Sequence, residues 1–307
     1  MASPYDGILL IDKSRGETSF DVIRKVRKIL KVKKVGHAGT LDPFATGLLI
    51  LLLGQGTKLS PYLMGGRKRY LAVLRLGIET DTLDVTGTIV HTRAVPFFDA
   101  GYVESRAGKF MGELLQVPPQ YSAVRVMGKR AYELARRGIR VDLAPRSVTV
   151  YDLKIVSLSL PEMTLEITCS GGTYIRSLAS DLGRELETGA HLKALRREAS
   201  GSFDVAQALP SEEIGRTLSG GLVEERIIPL VECLPGMAGV QVNDETAERL
   251  RKGKRPGWEE LGSFPAGTTF PGEAVKVLNR GELVALLEAP AKKAKKGEQV
   301  RIARIFR

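Results

Sequence analysis

Strand-like alternation of apolar and polar residues in RYLAVLRLG (69–77), SVTVYDLKIVSLSL (147–160) and MTLEITCS (163–170) restricts the fold of this chain more than any other feature. A period of two puts every second side chain on one face, so such segments pair as strands with one face on a core. GTIVHTRAV (87–95) repeats the pattern after the turn ETDTLDVTG. GILLIDK (7–13) reads as a short buried strand, and LLILLLG as a buried run of strand or short-helix length. TYIRSLASDLGREL reads as a helix. A second helix opens after GETS, with Thr18 or Ser19 as cap and Phe20, Ile23, Val26 and Leu30 at helical spacing. These elements follow no regular βαβ rhythm, which predicts an α+β fold whose mixed, largely antiparallel sheet is flanked by helices.

At 307 residues the chain has room for about two domains. The pattern loosens over 209–235, a plausible linker, and the last stretch (236–307) holds a short helix, DETAERLRKG, and a hairpin, AVKVLNRGELVALLEA, with its turn at Asn279-Arg280-Gly281. A small C-terminal β-barrel fits that size. KKAKKG (292–297) reads as a mobile surface loop. Residues 116–146 are rich in arginine, carry Tyr121 and Tyr132, and suit an insertion into the first domain, 1–235.

Charge narrows the partner. A net charge of +11 favours polyanions, nucleic acid first. The excess is not confined to a tail: 231–307 hold 14 basic and 10 acidic residues, and the rest 32 and 25. Two distant cysteines, Cys169 and Cys233, exclude a disulfide scaffold and a zinc finger, and three histidines lack metal-ligand spacing, so no metal is expected. GQGTKLS (54–60) lacks the order of a phosphate-binding loop, so no nucleotide cofactor is expected either. Neither a membrane-spanning run nor a secretory signal is evident, which predicts a cytoplasmic protein.

GHAGTLDPFATG (36–47) is the most suggestive loop. Gly36, Gly39 and Gly47 permit tight turns, and Pro43 biases Asp42 toward an extended backbone. A carboxylate is thereby fixed beside an apolar run, although a loop aspartate by itself is more often a turn-former.

That loop, with KRY (68–70), GIETDTLDVTG (77–87), VPPQYSAVRVMGKRAYELARRG (117–138), GGTYIRSLASDLG (171–183) and AHLKALRR (190–197), resembles the TruB family of tRNA pseudouridine synthases segment by segment and in the same order. The family also includes dyskerin-type RNA-guided enzymes. The resemblance spans nearly the whole chain, and residues 236–307 resemble a PUA RNA-binding domain. DKSRGETS (12–19) departs from it, with Ser14 where the family usually has proline.

The resemblance implies a pseudouridine synthase fold and cofactor-free isomerisation of uridine to pseudouridine at position 55 of the tRNA T loop. It makes Asp42 the catalytic aspartate, either as nucleophile or in deprotonating the sugar. Arg176 is its cationic partner, and Tyr70 the active-site tyrosine that stacks on uracil. Tyr174 and Leu195 line the uracil pocket. His37 enters the RNA stack where the flipped base was. Lys68 joins the substrate-binding set, and Arg125, Lys129 and Arg130 belong to an RNA-clamping insertion. Asp81 and Asp84 are expected to be structural, holding a neighbouring arginine. The expected partner is the tRNA T stem-loop, bound by a monomer. A guide-RNA-dependent subunit and a tRNA-folding chaperone are the alternatives.

Overall fold

Two uninterrupted apolar runs become neighbouring strands toward one edge of the main sheet. The computed structural model describes residues 5–126, 128–219, 223–261, 274–289 and 297–307. Its first elements are β1 (Gly7–Lys13), α1 (Ser19–Leu30), β2 (Val35–His37), β3 (Thr46–Leu53), α2 (Ser60–Met64) and β4 (Lys68–Leu76). A hairpin of β5 (Ile78–Thr80) and β6 (Ile89–Thr92) precedes α3 (Ala100–Gly108) and β7 (Gly112–Gln116). Next come β8 (Arg125–Val126), β9 (Lys129–Arg130), α4 (Ala131–Ala135), β10 (Arg146–Ser159), β11 (Glu162–Cys169) and α5 (Ile175–Glu185). They are followed by β12 (Ala190–Ser200), β13 (Phe203–Asp204), β14 (Leu209–Pro210), α6 (Ile214–Ser219) and β15 (Ile227–Pro229). The chain ends with β16 (Gly239–Gln241), α7 (Asp244–Arg251), β17 (Ala274–Asn279), β18 (Glu282–Glu288) and β19 (Arg301–Ile305).

The main sheet runs β14-β1-β3-β12-β4-β11-β10-β7, with β13, β15 and β2 paired to β12, β1 and β3. Only β1–β14 and β3–β12 are parallel, so the sheet is mixed and largely antiparallel as expected. β1 and β3 lack alternation because both their faces are covered. Leu9, Ile11, Leu49 and Leu51 join one core with α1 and α5. Ile8, Leu10, Leu48, Ile50 and Leu52 join a second core with Leu59, Leu63, Leu283, Leu286 and Phe306. The C-terminal strands therefore complete the packing of the first strands.

Helix α1 starts where the sequence places it. Thr18 and Asp21 form a reciprocal capping box. Its buried face is Val22, Ile23, Val26 and Leu30, however, and Phe20 is 64% exposed. Apolar spacing named Phe20 as core, but the helix turns Val22 inward instead.

Four other expectations change. GTIVHTRAV contributes only β6, which is exposed and pairs with β5 outside the main sheet. Residues 209–235 are no loose linker, because β14 and β15 both pair with β1. The C-terminal strands form a four-stranded sheet, β16-β17-β18-β19, with no closed barrel among the described residues. Helix α7 and the turn Trp258–Leu261 cover its apolar face, with Ala247, Leu250, Trp258 and Leu261 in one core with Val275, Val277 and Leu287. The turn of its hairpin is Arg280-Gly281, both at positive φ (51° and 81°), while Asn279 ends the strand. Of KKAKKG, all but Gly297 lies outside the described residues. The arginine-rich insertion begins and ends at one strand pair, since Gln116 on β7 faces Arg146 on β10.

Candidate active site

The loop between β2 and β3 carries Asp42, and backbone geometry fixes its path. Gly39 (φ 109°) and Gly47 (φ 100°) occupy the left-handed region. A Cβ on Gly47 would also lie 2.3 Å from the Arg197 carbonyl oxygen, where β3 and β12 run side by side. Buried Arg197 holds the near end of the loop. Its Nε donates to the Leu48 carbonyl (2.7 Å) and its two Nη atoms to those of Thr40 (3.4 Å) and Gly39 (3.1 Å). On the other side Leu41 N donates to Ser19 Oγ at the start of α1 (3.0 Å).

Arg176, in the first turn of α5, meets the Asp42 carboxylate with two nitrogens: Nε to Oδ2 at 2.9 Å and Nη2 to Oδ1 at 3.3 Å. Such a fork fixes orientation as well as charge. The Arg176 side chain is only 5% exposed, whereas Asp42 is 35% exposed, so the carboxylate faces an opening while its partner is enclosed. The remaining donors of Arg176 reach Thr82 O (3.0 Å), Tyr121 O (2.9 Å) and Asp84 Oδ2 (3.3 Å). Asp84 is itself buried and held by Thr82 Oγ1 (2.8 Å) and by Thr86 N and Oγ1 (2.9 and 2.5 Å). Asp84 is thus the turn carboxylate that grips the arginine. Asp81 accepts from Thr88 N within the same turn.

Burial pushes the Asp42 carboxyl above its ordinary value; Arg176 pulls it back down and Asp84 pushes it up. Tyr70 on β4 is buried beside Arg197, and burial raises its phenol, which therefore stays protonated at neutral pH. Leu195 is buried on the β12 strand that pairs with β4, opposite Ala72. Tyr174, half-buried at the start of α5, exchanges backbone hydrogen bonds with the Gln116 side chain (2.7 and 3.0 Å). His37 ends β2, with Nδ1 buried and without a hydrogen-bond partner, and burial lowers its ring into the neutral form. The Lys68 ammonium is buried and donates to the carbonyls of Met64 and Gly66 (2.6 Å each), across the turn that leads into β4. Arg125, Lys129 and Arg130 lie exposed on the β8–β9 hairpin, away from any ion pair among the described residues.

Sequence reasoning overlooked two buried cations. Arg197 was legible in principle: Leu195 points inward, and two residues on along a strand lies the same face. Lys13, at the end of β1, reads as a strand terminus, yet it is fully buried and donates to the carbonyls of Ser14 (3.0 Å), Glu17 (2.8 Å) and Pro43 (3.5 Å). Burial lowers its ammonium to about 8, against a pull upward from Glu17 and Asp42. The unfolded chain then binds more protons than the folded one between about pH 8 and the ordinary lysine value of 10.5, so stability gains with pH in that window. Comparing urea midpoints of the wild type and Lys13→Met from pH 7.5 to 10 checks this. The difference between them should shift in favour of the wild type as pH rises.

The sequence matches the family model for the N-terminal domain of TruB family pseudouridylate synthases over residues 27–175. It matches that for the C-terminal domain of tRNA pseudouridylate synthase B over 176–231. Among curated relatives, tRNA pseudouridine synthase B of Clostridium kluyveri is 44% identical over 248 residues, 81% of this chain and 84% of that protein. The protein of the same name from Geobacter sulfurreducens is 39% identical over 287 residues, 93% and 94% of the two chains. In fold the chain is similar to a solved Cbf5-Nop10-Gar1 complex (TM-score 0.76, 24% identity, 98% of this chain and 85% of that one). An H/ACA RNP bound to a substrate RNA containing 2'-deoxyuridine matches at TM-score 0.75 and 23% identity, over 99% and 86%. The loop-borne Asp42 held by Arg176, on this fold and with relatives this similar, makes the chain a member of the TruB family of pseudouridylate synthases.

Proposed function

We propose that this enzyme isomerises the uridine at position 55 in the T loop of tRNA, acting as a cytoplasmic monomer without guide RNA, nucleotide or metal. The observation that carries the reading is the two-pronged Arg176–Asp42 pair, a carboxylate kept partly open on the loop that leads into an apolar strand. In the reaction the C1′–N1 bond breaks, the uracil rotates, a C1′–C5 bond forms, C5 loses its proton and N1 gains one. Asp42 acts ionised, either as nucleophile at the sugar or as the base that deprotonates it. Arg176 favours the ionised form. Tyr70 stacks on the uracil, with Leu195 and Tyr174 as further walls. His37, neutral and aromatic, fills the stack vacated by the flipped base; flipping costs roughly a few kcal/mol.

The insertion supplies part of that energy. Arg125, Lys129 and Arg130 take phosphates of the T stem, the sequence-independent share of the affinity. An RNA hairpin of the T arm alone tests the assignment. Conversion of the uridine at position 55, and none when cytidine replaces it, is the expected result. Conversion at another uridine, or only with a guide RNA present, overturns it.

We further propose residues 236–307 as a PUA RNA-binding domain. Deleting it would strip Leu283, Leu286 and Phe306 from the core of β1 and β3, so truncation is a poor test. Lys254 and Arg255 are exposed and free of ion pairs among the described residues. Replacing both with glutamine should lower the salt slope of tRNA binding by about one to two, and an unchanged slope counts against contact there.

A further inference from the structure

Helix α1 presents an outer face of one sign that the chemistry at Asp42 leaves unused. From Arg24 to Lys34 the sequence RKVRKILKVKK has seven basic side chains and no acidic one. All seven are exposed, while Val22, Ile23, Val26 and Leu30 bury the opposite side. Arg24 pairs with Asp21 and Lys25 with Glu17. Arg27, Lys28, Lys31, Lys33 and Lys34 have no ion-pair partner among the described residues. Arg24, Arg27, Lys28 and Lys31 recur at i, i+3, i+4 and i+7, so they form one stripe whose like charges repel. The helix dipole accounts for Arg27 and Lys28 in the last turn, but not for Arg24 or for Lys33 and Lys34 past the end. Helix α7, by contrast, mixes both signs in DETAERLR.

Both ends of α1 are tied to the loop that carries the site. Ser19 Oγ, in its first turn, exchanges hydrogen bonds with the backbone of Leu41 (3.0 and 3.2 Å), the residue before Asp42. At the other end Lys33 and Lys34 lead directly into β2, which finishes at His37. The first turn of this helix therefore lies beside the loop that carries Asp42, and its C-terminal end leads into the strand before that loop.

We propose that the outer face of α1, continued by Lys33 and Lys34, is a second RNA surface that takes backbone phosphates of the same tRNA whose uridine reaches Asp42. The inference rests on the tRNA reading above and deepens it. Arg24 to Lys31 spans about 10 Å of helix axis, enough to meet about two phosphates. Phe20, exposed and carrying the Arg24 guanidinium 5.5 Å from its ring centre, offers an aromatic face at the start of the same stripe. A membrane surface fits less well, because the apolar side of α1 is already spent on the protein core.

The test measures binding of an unmodified full-length tRNA transcript between 50 and 300 mM salt, for the wild type and for Arg27→Gln/Lys28→Gln/Lys31→Gln. Glutamine keeps helix propensity, and a thermal unfolding curve of each protein confirms the fold. The expected result is a salt slope lower by about two and a Kd at about 100 mM salt raised roughly tenfold or more. A slope equal to that of the wild type overturns the α1 surface while leaving the tRNA reading intact. Should the wild type neither bind nor convert the transcript, the tRNA reading fails and the α1 surface with it.

Discussion

Asp42→Asn should abolish pseudouridine formation, lowering the single-turnover rate by roughly four orders of magnitude or more, the scale on which an essential catalytic group is lost. tRNA affinity should change by no more than a few-fold. The two effects separate because the substitution removes a charge without emptying the site. An asparagine oxygen still accepts from Arg176, and Arg176 keeps Asp84, Thr82 O and Tyr121 O as partners. The fold and the exposed cations of the insertion are therefore preserved. Filter binding beside single-turnover kinetics checks the split. Affinity and rate falling together would contradict the assignment of Asp42 to chemistry.

Arg176 is expected to matter for stability and for catalysis at once. Arg176→Ala leaves Asp84 buried without its cation and Asp42 without its partner. Breaking a buried pair by removing one member costs on the order of 3–5 kcal/mol. A large fall in unfolding temperature follows, with little residual activity. Arg176→Lys separates the two effects. It keeps a positive charge, but one compact ammonium cannot serve two Asp42 oxygens, Asp84 Oδ2 and two carbonyls together. Its activity should drop by roughly 10²-fold or more while much of the stability returns. The pH profile adds a signed expectation. Burial raises the Asp42 carboxyl and Arg176 lowers it, so weakening that pull raises it further. Activity that needs the carboxylate then fails at a higher pH as the solution is acidified, and the acid limb moves upward in Arg176→Lys. An unmoved acid limb would mean that Arg176 does not govern the ionisation of Asp42.

The sequence made the sheet legible where burial is one-sided. β11 alternates strictly and β4 more loosely, and both were bounded almost to the residue. β1 and β3 were recognisable as buried runs, but nothing in them announced that leucine and phenylalanine from the chain's last strands cover their second face. Long-range closure of that kind has no local signature, which is also why 209–235 read as a linker while supplying two short strands to the edge of the sheet. Phe20 shows the limit of periodicity at a helix start, where a shift of two positions decides which side chain meets the core.

The site was legible in a different way. Residue pattern alone made Asp42 a turn-former and Arg176 a surface arginine; the resemblance to a family joined them, and the geometry brings them into one pair. Asp84 followed from its turn, as an acid close to a needed cation. Lys13 and Arg197 escaped because a basic residue at the edge of an apolar run is read as solvent-facing. Lys13 donates to the carbonyls of nearby Ser14 and Glu17 and of distant Pro43, and Arg197 to those of distant Gly39 and Leu48, pairings that no residue pattern encodes.

The central claim is that this chain alone converts a uridine through Asp42, and one assay addresses it most directly. An unmodified tRNA transcript tritiated at uracil C5 is incubated with the purified protein and with no guide RNA, nucleotide or added metal. Release of tritium equivalent to one uridine per tRNA, absent with Asp42→Asn, is the predicted result. Tight binding without release, or equal release by the Asp42→Asn protein, would contradict it.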